Sequence, residues 1–247
     1  MINNIKDNII LIDDKFVVKK ASISRLKAEK YFLQKYKDKI KLEELLESNL
    51  SEGYNIYKFI DGKEIGNYQD IEDCLTEVYK IIKKYEKVYT YGYGFIYDLK
   101  ESWIDFLKDE VDRNVIYIKD NRYKMLKIVY EKLKVLDRYN FKKKLIHGDL
   151  GGFNIICNDK KIAGIIDPRV IIGDPIYDYI YFIFSSYNIF KGVDLKEVFN
   201  ILKNEEKEKV LAMMYIILFN RISIEEKYNT KSKDLFCYAW NDLAKFE

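Results

Sequence analysis

The sequence predicts an α+β protein with two lobes, a small β-rich lobe with one main helix and a larger, mostly helical lobe. Short β-branched runs fill most of the first 60 residues and enclose a single helical pattern. Helical periodicity dominates from residue 63 onward and is interrupted by a group of short strands within residues 144–167. A chain of 247 residues is long enough to bury a sizeable core in two such lobes.

The small lobe is expected to span residues 1–62. The runs "NIILID" and "KFVVKKA" flank the turn signal Asp13-Asp14 and predict a β-hairpin. A helix is predicted from Ser22, because apolar residues recur there at helical spacing: Ile23, Leu26, Tyr31, Phe32 and Tyr36. "YNIYKFI" predicts another strand that ends at Asp61-Gly62, where we place the boundary between the lobes.

The large lobe, residues 63–247, is expected to be a helical body that carries a short hairpin. Its predicted helices lie near residues 68–85, 101–112, 121–138, 175–187, 195–219 and 232–246. The predicted strands are "KLIH", "NIIC" and "IAGIID". The longest apolar run, "VLAMMYIILF", is too short to span a bilayer and predicts a buried helix.

Charge and cysteine content narrow the classes of function. The formal net charge of +3 comes from 43 basic and 40 acidic residues that are spread evenly, which is not typical of a nucleic-acid footprint. The three cysteines lie far apart, which argues against a disulfide framework or a zinc site. The N-terminal segment lacks the order of a signal peptide. We therefore expect a cytoplasmic protein with no nucleic-acid or membrane partner, and its oligomeric state stays open.

The stretch "LIHGDLGGFNIICNDKKIAGIIDPR", residues 145–169, concentrates polar residues whose spacing fits phosphoryl transfer. It holds the chain's one histidine, His147, and Asp149 and Asn154 lie five residues apart. Asp167 follows thirteen residues later, at the end of a predicted strand. Phosphoryl transfer needs alignment and charge neutralisation more than covalent help. Each residue alone is ordinary, but their conjunction with the flanking strands predicts a phosphotransferase site.

This stretch resembles the aminoglycoside phosphotransferase and choline kinase family, which has a two-lobed protein-kinase-like fold. The family's run of H-G-D-x-x-x-x-N, I-D and G-D-P-x-x-D stands here as "HGDLGGFN", "IID" and "GDPIYD". "IDPRVIIGDPIYD" is most similar to relatives that phosphorylate streptomycin-type antibiotics, and strong matching covers residues 145–182. The resemblance implies transfer of the γ-phosphate of ATP to a hydroxyl of a small-molecule acceptor, an aminoglycoside-like or other polar metabolite. It implies Mg²⁺ as a cofactor and leaves GTP open as an alternative nucleotide.

The resemblance also implies roles for single residues of the large lobe. Asp149 matches the catalytic base, and Asn154 and Asp167 match the metal ligands. Asp178 matches an aspartate that receives backbone amides of the catalytic loop, so we expect it to give structural support. We expect His147 to brace the same loop.

In the small lobe, the resemblance implies a strand lysine that pairs with a helix glutamate and steadies the nucleotide phosphates. Lys19 and Glu29 are the candidates for this pair, and Lys20, on the opposite face of the strand, is the alternative lysine. "YKFIDG" resembles the hinge segment whose backbone holds adenine, with three candidate residues: Lys58, Phe59 and Ile60.

The chain departs from the family's pattern ahead of Lys19. Eighteen residues precede it and none is glycine, so the usual glycine-rich phosphate loop and its two strands are not expected in normal form. Either a short hairpin around Asp13-Asp14 covers the phosphates, or they are left partly open. Because of this shortened lobe, a second function stays open: a weak or inactive pseudokinase that binds a nucleotide or a partner. A protein kinase is not predicted, because the loop lacks the arginine of H-R-D and neither D-F-G nor A-P-E occurs.

Overall fold

A computed structural model describes residues 2–6, 8–65, 71–119, 122–159 and 161–247. The small lobe contains a five-stranded antiparallel sheet in the order β1-β2-β3-β5-β4. Its strands are β1 Ile2–Lys6, β2 Ile9–Ile12, β3 Phe16–Lys20, β4 Leu45–Asn49 and β5 Tyr54–Lys58. The predicted hairpin and the predicted strand after it are confirmed. Strands β1 and β4 are additions, and their polar sequences, "INNIK" and "LLESN", give a weak strand signal. Because β1 and β2 pair antiparallel ahead of β3, the expectation that two such strands would not precede Lys19 is wrong, although the segment between them contains no glycine.

The β2–β3 turn lies at the far end of the hairpin from Lys19. Asp13 and Asp14 both have a φ of 51°, and the paired residues beside them are Ile12 and Phe16. Phe16 is three residues from Lys19, which corresponds to about 10 Å along an extended strand. The turn on the Lys19 side joins β1 to β2 and includes residue 7, which lies outside the described residues. The Asp13-Asp14 hairpin is therefore wrongly placed to cover nucleotide phosphates beside Lys19.

Helix α1, Ile23–Tyr36, confirms the one main helix predicted for the small lobe. The side chain of Ser22 caps it by accepting a hydrogen bond from Arg25 N (3.4 Å). Its buried residues recur at helical spacing: Leu26, Ala28, Glu29, Phe32, Leu33 and Tyr36. Glu29 places a carboxylate on this otherwise apolar face, and a buried carboxylate requires a charged or hydrogen-bonding partner.

Two small sheets position the polar segments of the large lobe. One has the order β11-β10-β6, with β6 Lys63–Glu64, β10 Ile155–Asn158 and β11 Lys161–Ile165. The other has the order β8-β7-β12-β9, with β7 Tyr93–Phe95, β8 Asp98–Lys100, β9 Lys144–Ile146 and β12 Ile171–Gly173. The three predicted strands are β9, β10 and β11. The polar loop of residues 147–154 connects β9, in the four-stranded sheet, to β10, in the three-stranded sheet.

The helices of the large lobe pack around one long buried helix, α8, which contacts α3, α4, α5 and α9. Their bounds are α2 Ile71–Lys83, α3 Trp103–Asn114, α4 Tyr123–Leu136, α5 Ile176–Phe184, α6 Tyr187–Lys191, α7 Leu195–Ile201, α8 Lys207–Lys227 and α9 Lys233–Leu243. The single helix predicted over residues 195–219 is wrong: it is two helices, because the polar run 203–206 breaks the apolar face between α7 and α8. Among the described helices, α8 included, none has the length and hydrophobicity of a membrane span.

Candidate active site

The loop between β9 and β10 is held in shape by its own hydrogen bonds. Asn154 Nδ2 donates to the backbone oxygen of Asp149 (2.8 Å), and Asn154 N donates to Gly151 O (2.9 Å). Gly148 has a φ of +80°, and a Cβ there would lie 2.6 Å from Ile171 Cγ1, so this turn requires glycine. The structure thus brings Asp149 and Asn154 together on one compact turn.

His147 is buried and ties this loop to the segment that follows β11. Its Nδ1 accepts a hydrogen bond from Asp149 N (3.2 Å), which requires the tautomer with the proton on Nε2. Nε2 then donates to Ile166 O (3.0 Å). Burial lowers the pKa of His147, which favours this neutral ring. The backbone oxygen of His147 also accepts from Arg169 N and Val170 N, both at 2.9 Å.

Asp178, at the start of α5, is buried and receives three hydrogen bonds. The donors are His147 N (2.8 Å), Gly148 N (2.9 Å) and the hydroxyl of Tyr85 (2.8 Å). Burial raises the pKa of Asp178 to about 7, although the three hydrogen bonds act in the opposite direction. The two loop amides that the resemblance implies are among these donors, so Asp178 anchors the start of the loop.

Asp167 lies just beyond β11 with a φ of 58°, a left-handed conformation that is uncommon for a residue with a Cβ. Its amide donates to Glu43 Oε1 (2.8 Å), and Glu43 lies between α1 and β4. Its carboxylate accepts from Lys19 Nζ and from Arg25 Nη2, the latter at 2.7 Å. Burial opposes ionisation, but Lys19 and Arg25 hold the pKa of Asp167 below its usual range.

Of the two candidate lysines, Lys19 is the one that faces Glu29. Lys19 is 6% exposed and its Nζ lies 2.6 Å from Glu29 Oε1, whereas Lys20 is exposed on the other face of β3. Glu29 is fully buried, and its second oxygen accepts from the hydroxyl of Tyr57 (2.6 Å). The helix carboxylate is thus fully partnered, and Lys19 links it to Asp167.

The segment Lys58–Ile60 follows β5, and two of its amides are already engaged. Lys58 N donates to Glu44 O (2.9 Å), and Phe59 N donates to Lys15 O (2.8 Å). Ile60 is therefore the hinge candidate best able to offer its amide to an adenine. Its side chain lies against Gly164 of β11, where a Cβ would be 2.4 Å from Ile60 Cδ1.

Asn154 and Asp167, the two candidate metal ligands, carry the kinds of oxygen that suit a magnesium ion. Ile166 N donates to Asn154 O (2.9 Å), so the two ligand-bearing segments lie side by side. The side chain of Asp167 is 34% exposed, and amide and carboxylate oxygens are ligands that Mg²⁺ accepts. Within the described residues, no group of three or more His, Cys, Asp or Glu could hold a metal. An ion at this pair would depend on phosphate oxygens and water, as magnesium sites in nucleotide enzymes do.

Two side chains beside Asp149 are not indicated by the motif. Tyr181 is one of them, and burial followed by the charge of the Asp149 carboxylate raises the pKa of Tyr181 well above its usual value. Arg169 lies over the ring of Phe95 at 4.7 Å. Burial acts against its charge, but Asp149 raises the pKa of Arg169. The carboxylate of Asp149 thus has a tyrosine and a cation for neighbours.

Two more residues that the motif does not indicate contact Asp167: Arg25 and Glu43. Helical spacing relates Arg25 to Glu29 in the sequence. Arg25 stands one helical turn before Glu29 in α1, and its Nε lies 3.0 Å from Glu29 Oε1. The sequence has no comparable signal for Glu43, which reaches Asp167 across 124 residues. Burial raises the pKa of Glu43 to about 8.

No protein-family model and no curated protein sequence matches the chain. Solved structures do match. A ternary complex of a thermostable mutant of aminoglycoside phosphotransferase APH(4)-Ia with ADP and hygromycin B has a TM-score of 0.73 at 14% identity, over 99% of this chain and 92% of that one. Choline kinase LicA from Streptococcus pneumoniae has a TM-score of 0.63 at 14% identity, over 98% and 90%. The GDP and kanamycin complex of APH(2")-IIIa has a TM-score of 0.63 at 13% identity, over 100% and 94%. The chain therefore has the two-lobed, kinase-like fold of these small-molecule phosphotransferases.

Proposed function

We propose that this protein is an ATP-dependent small-molecule phosphotransferase of the aminoglycoside phosphotransferase and choline kinase family. It would move the γ-phosphate to a hydroxyl of an aminoglycoside-like or other polar metabolite. The observation that carries the proposal is the convergence of three groups: Asn154 bonds to Asp149, and Asp167 stands beside Asn154 through the Ile166–Asn154 bond. Stability alone gives no reason for this arrangement, whereas phosphoryl transfer requires it.

Asp149 is the proposed catalytic base. It accepts a hydrogen bond from the acceptor hydroxyl, aims the hydroxyl oxygen at the terminal phosphate, and takes the proton late in the transfer. The charge of Arg169 attracts this carboxylate and helps to fix its direction. His147 and Asp178 hold the loop backbone at and just before Asp149.

Lys19 is the proposed contact to the nucleotide phosphates, and Glu29 fixes its position. Asn154 and Asp167 present oxygens to the metal. Bound magnesium would neutralise charge on the transferring phosphoryl group. The hinge around Ile60 is the proposed adenine site, and the Ile60 side chain lies against Gly164 of β11.

A pseudokinase that binds a nucleotide without turnover is the second candidate. Two observations favour it: the first glycine of the chain is Gly53, and the carboxylate of Asp167 already binds Lys19 and Arg25. The complete set of Asp149, Asn154 and Asp167 weighs against it, because a binding module has no need for a base.

The acceptor is the least determined part of the proposal. The neighbours with bound acceptors hold hygromycin B or kanamycin, and another is named a choline kinase. If the acceptor is an antibiotic, the reaction confers resistance.

The test is transfer of labelled γ-phosphate by the purified protein. ATP or GTP is supplied with Mg²⁺ and a panel of aminoglycosides, choline-like compounds and sugars, with Asp149→Asn as the matched control. Labelled product with the wild type and none with the variant supports the proposal. Nucleotide binding without labelled product from any acceptor would favour the pseudokinase.

A further inference from the structure

Four charged side chains meet where the two lobes face each other: Lys19, Arg25, Glu29 and Asp167, here called the charge cluster. Arg25 bridges its two carboxylates, with Nε 3.0 Å from Glu29 Oε1 and Nη2 2.7 Å from Asp167 Oδ1. Lys19 bridges the same two oxygens. Two cations and two carboxylates therefore balance one another within the cluster.

The cluster has a buried side and an open side. The side chains of Lys19 and Glu29 are 7% and 0% exposed, while those of Arg25 and Asp167 are 32% and 34% exposed. With about a third of each side chain in solvent, the Arg25–Asp167 pair is screened more strongly than the buried Lys19–Glu29 pair. The Arg25–Asp167 contact can therefore be exchanged for a stronger one, whereas the Lys19–Glu29 pair is fixed.

The small lobe also has no glycine-rich sequence that could bring backbone amides close to phosphates. No glycine precedes Gly53, and only two residues separate the end of β1 at Lys6 from the start of β2 at Ile9. A nucleotide triphosphate still carries several negative charges, which a site must neutralise. Of the two cations in the charge cluster, Arg25 is the one whose side chain is partly exposed to solvent.

We propose that Arg25 is a second phosphate-binding residue, whose guanidinium leaves Asp167 for the nucleotide's phosphates when Asp167 engages the metal. The inference rests on the proposed function. Once the Asp167 carboxylate is occupied, the remaining charges of the cluster sum to one positive charge, and Arg25 is its exposed member. Its two contacts use Nε and one Nη2 donor of a group with five, so donors remain for a bidentate contact to a phosphate.

Calorimetric titration with Mg²⁺ and ATP, and separately with adenosine, tests this role without relying on turnover. Arg25→Met should weaken ATP binding at least tenfold and leave adenosine binding within about twofold, because only ATP presents phosphates to it. Arg25→Lys should fall between the wild type and Arg25→Met, since an ammonium cannot bind a phosphate bidentately. Arg113→Met is the matched control, because Arg113 also contacts two carboxylates, on α3 of the large lobe, and should change neither affinity.

The outcomes separate this inference from the proposal on which it rests. If Arg25→Met binds ATP as the wild type does, or if ATP and adenosine weaken equally, Arg25 is a structural brace and the inference is overturned. If Arg25→Met does not fold, Arg25→Lys decides, and wild-type ATP affinity in that variant overturns the bidentate contact. A wild-type protein that binds neither ligand overturns the proposed function itself.

Discussion

The loop of residues 147–154 and the charge cluster supply the two halves of one proposed reaction, and they are built in opposite ways. Hydrogen bonds in the loop join near neighbours, such as Asn154 to Asp149 across five residues and Asp149 to His147 across two. The cluster joins Arg25 to Asp167 across 142 residues. The loop is held within the large lobe, by these local bonds and by Asp178, which binds Gly148 across 30 residues, whereas the cluster exists only when the small lobe is seated against β11.

This difference separates what each region contributes. A loop fixed within the large lobe sets the direction of one carboxylate, so changes there should act on the chemical step. A cluster of long-range ion pairs sets how charge is balanced around the nucleotide, so changes there should act on binding and on stability. Variants in the two regions should therefore affect different measurements, and each prediction below tests that separation.

The largest effect is expected from Asp149→Asn. The loop should keep its shape, because the backbone oxygen of residue 149 still accepts from Asn154, but the side chain can no longer take a proton. Turnover should fall by about 10³-fold, a loss on the order of that for removing a general base, while ATP affinity stays within about twofold. Steady-state kinetics and calorimetry on the same preparation check both halves. Wild-type turnover in this variant would exclude Asp149 as the base.

The contrast between the regions also explains which contacts could be predicted from the sequence. The loop residues are spaced closely enough to form a recognisable run, and the resemblance that this run carries pointed to a Lys19–Glu29 pair. Strand alternation left Lys20 open as the alternative lysine, and the structure places Lys19 on the face of Glu29. Glu43 and Arg25 could not be paired with Asp167 from the sequence, because their contacts depend on how α1 and β4 settle against β11. The division of residues 195–219 into two helices was hidden for a different reason, since neither glycine nor proline marks the break.

Lys19→Met should show the cluster's effect on stability and binding together. Removal of the ammonium leaves Glu29, which is fully buried, with the partly exposed Arg25 as its remaining cation. The free energy of unfolding should fall by about 3 kcal/mol, as for a buried ion pair that loses one partner, and ATP binding should weaken at least tenfold. Urea unfolding and nucleotide titration measure the two effects. A variant as stable as the wild type would show that Arg25 alone neutralises Glu29.

The effect of Asp178→Asn on stability should depend on pH, because the carboxyl group of Asp178, which anchors the loop, has a raised pKa. The pKa of about 7 for folded Asp178 lies above the value near 4 of an unfolded aspartate, so the folded state retains the proton between them. This group's stabilisation is complete below pH 4 and is lost as the pH rises through 7. The stability difference between the wild type and Asp178→Asn should therefore fall by roughly 2–3 kcal/mol from pH 5 to pH 8. Urea unfolding at both pH values measures it, and a difference that stays constant between them would contradict the raised pKa of Asp178.

The smallest effect is expected from Lys20→Met, and it gives the sharpest test of how the cluster is built. Lys20 is adjacent to Lys19 in β3, has the same charge, and lies on the exposed face of the same strand. If the field of two neighbouring lysines were enough to hold a nucleotide, the two substitutions would weaken ATP binding alike. Of the two lysines, only Lys19 reaches Glu29 and Asp167. Lys20→Met should therefore change ATP affinity less than about twofold and stability by no more than about 0.5 kcal/mol. Calorimetry and urea unfolding of the two variants side by side measure this contrast, and equal losses would mean that net charge, and not the bonded cluster, binds the phosphates.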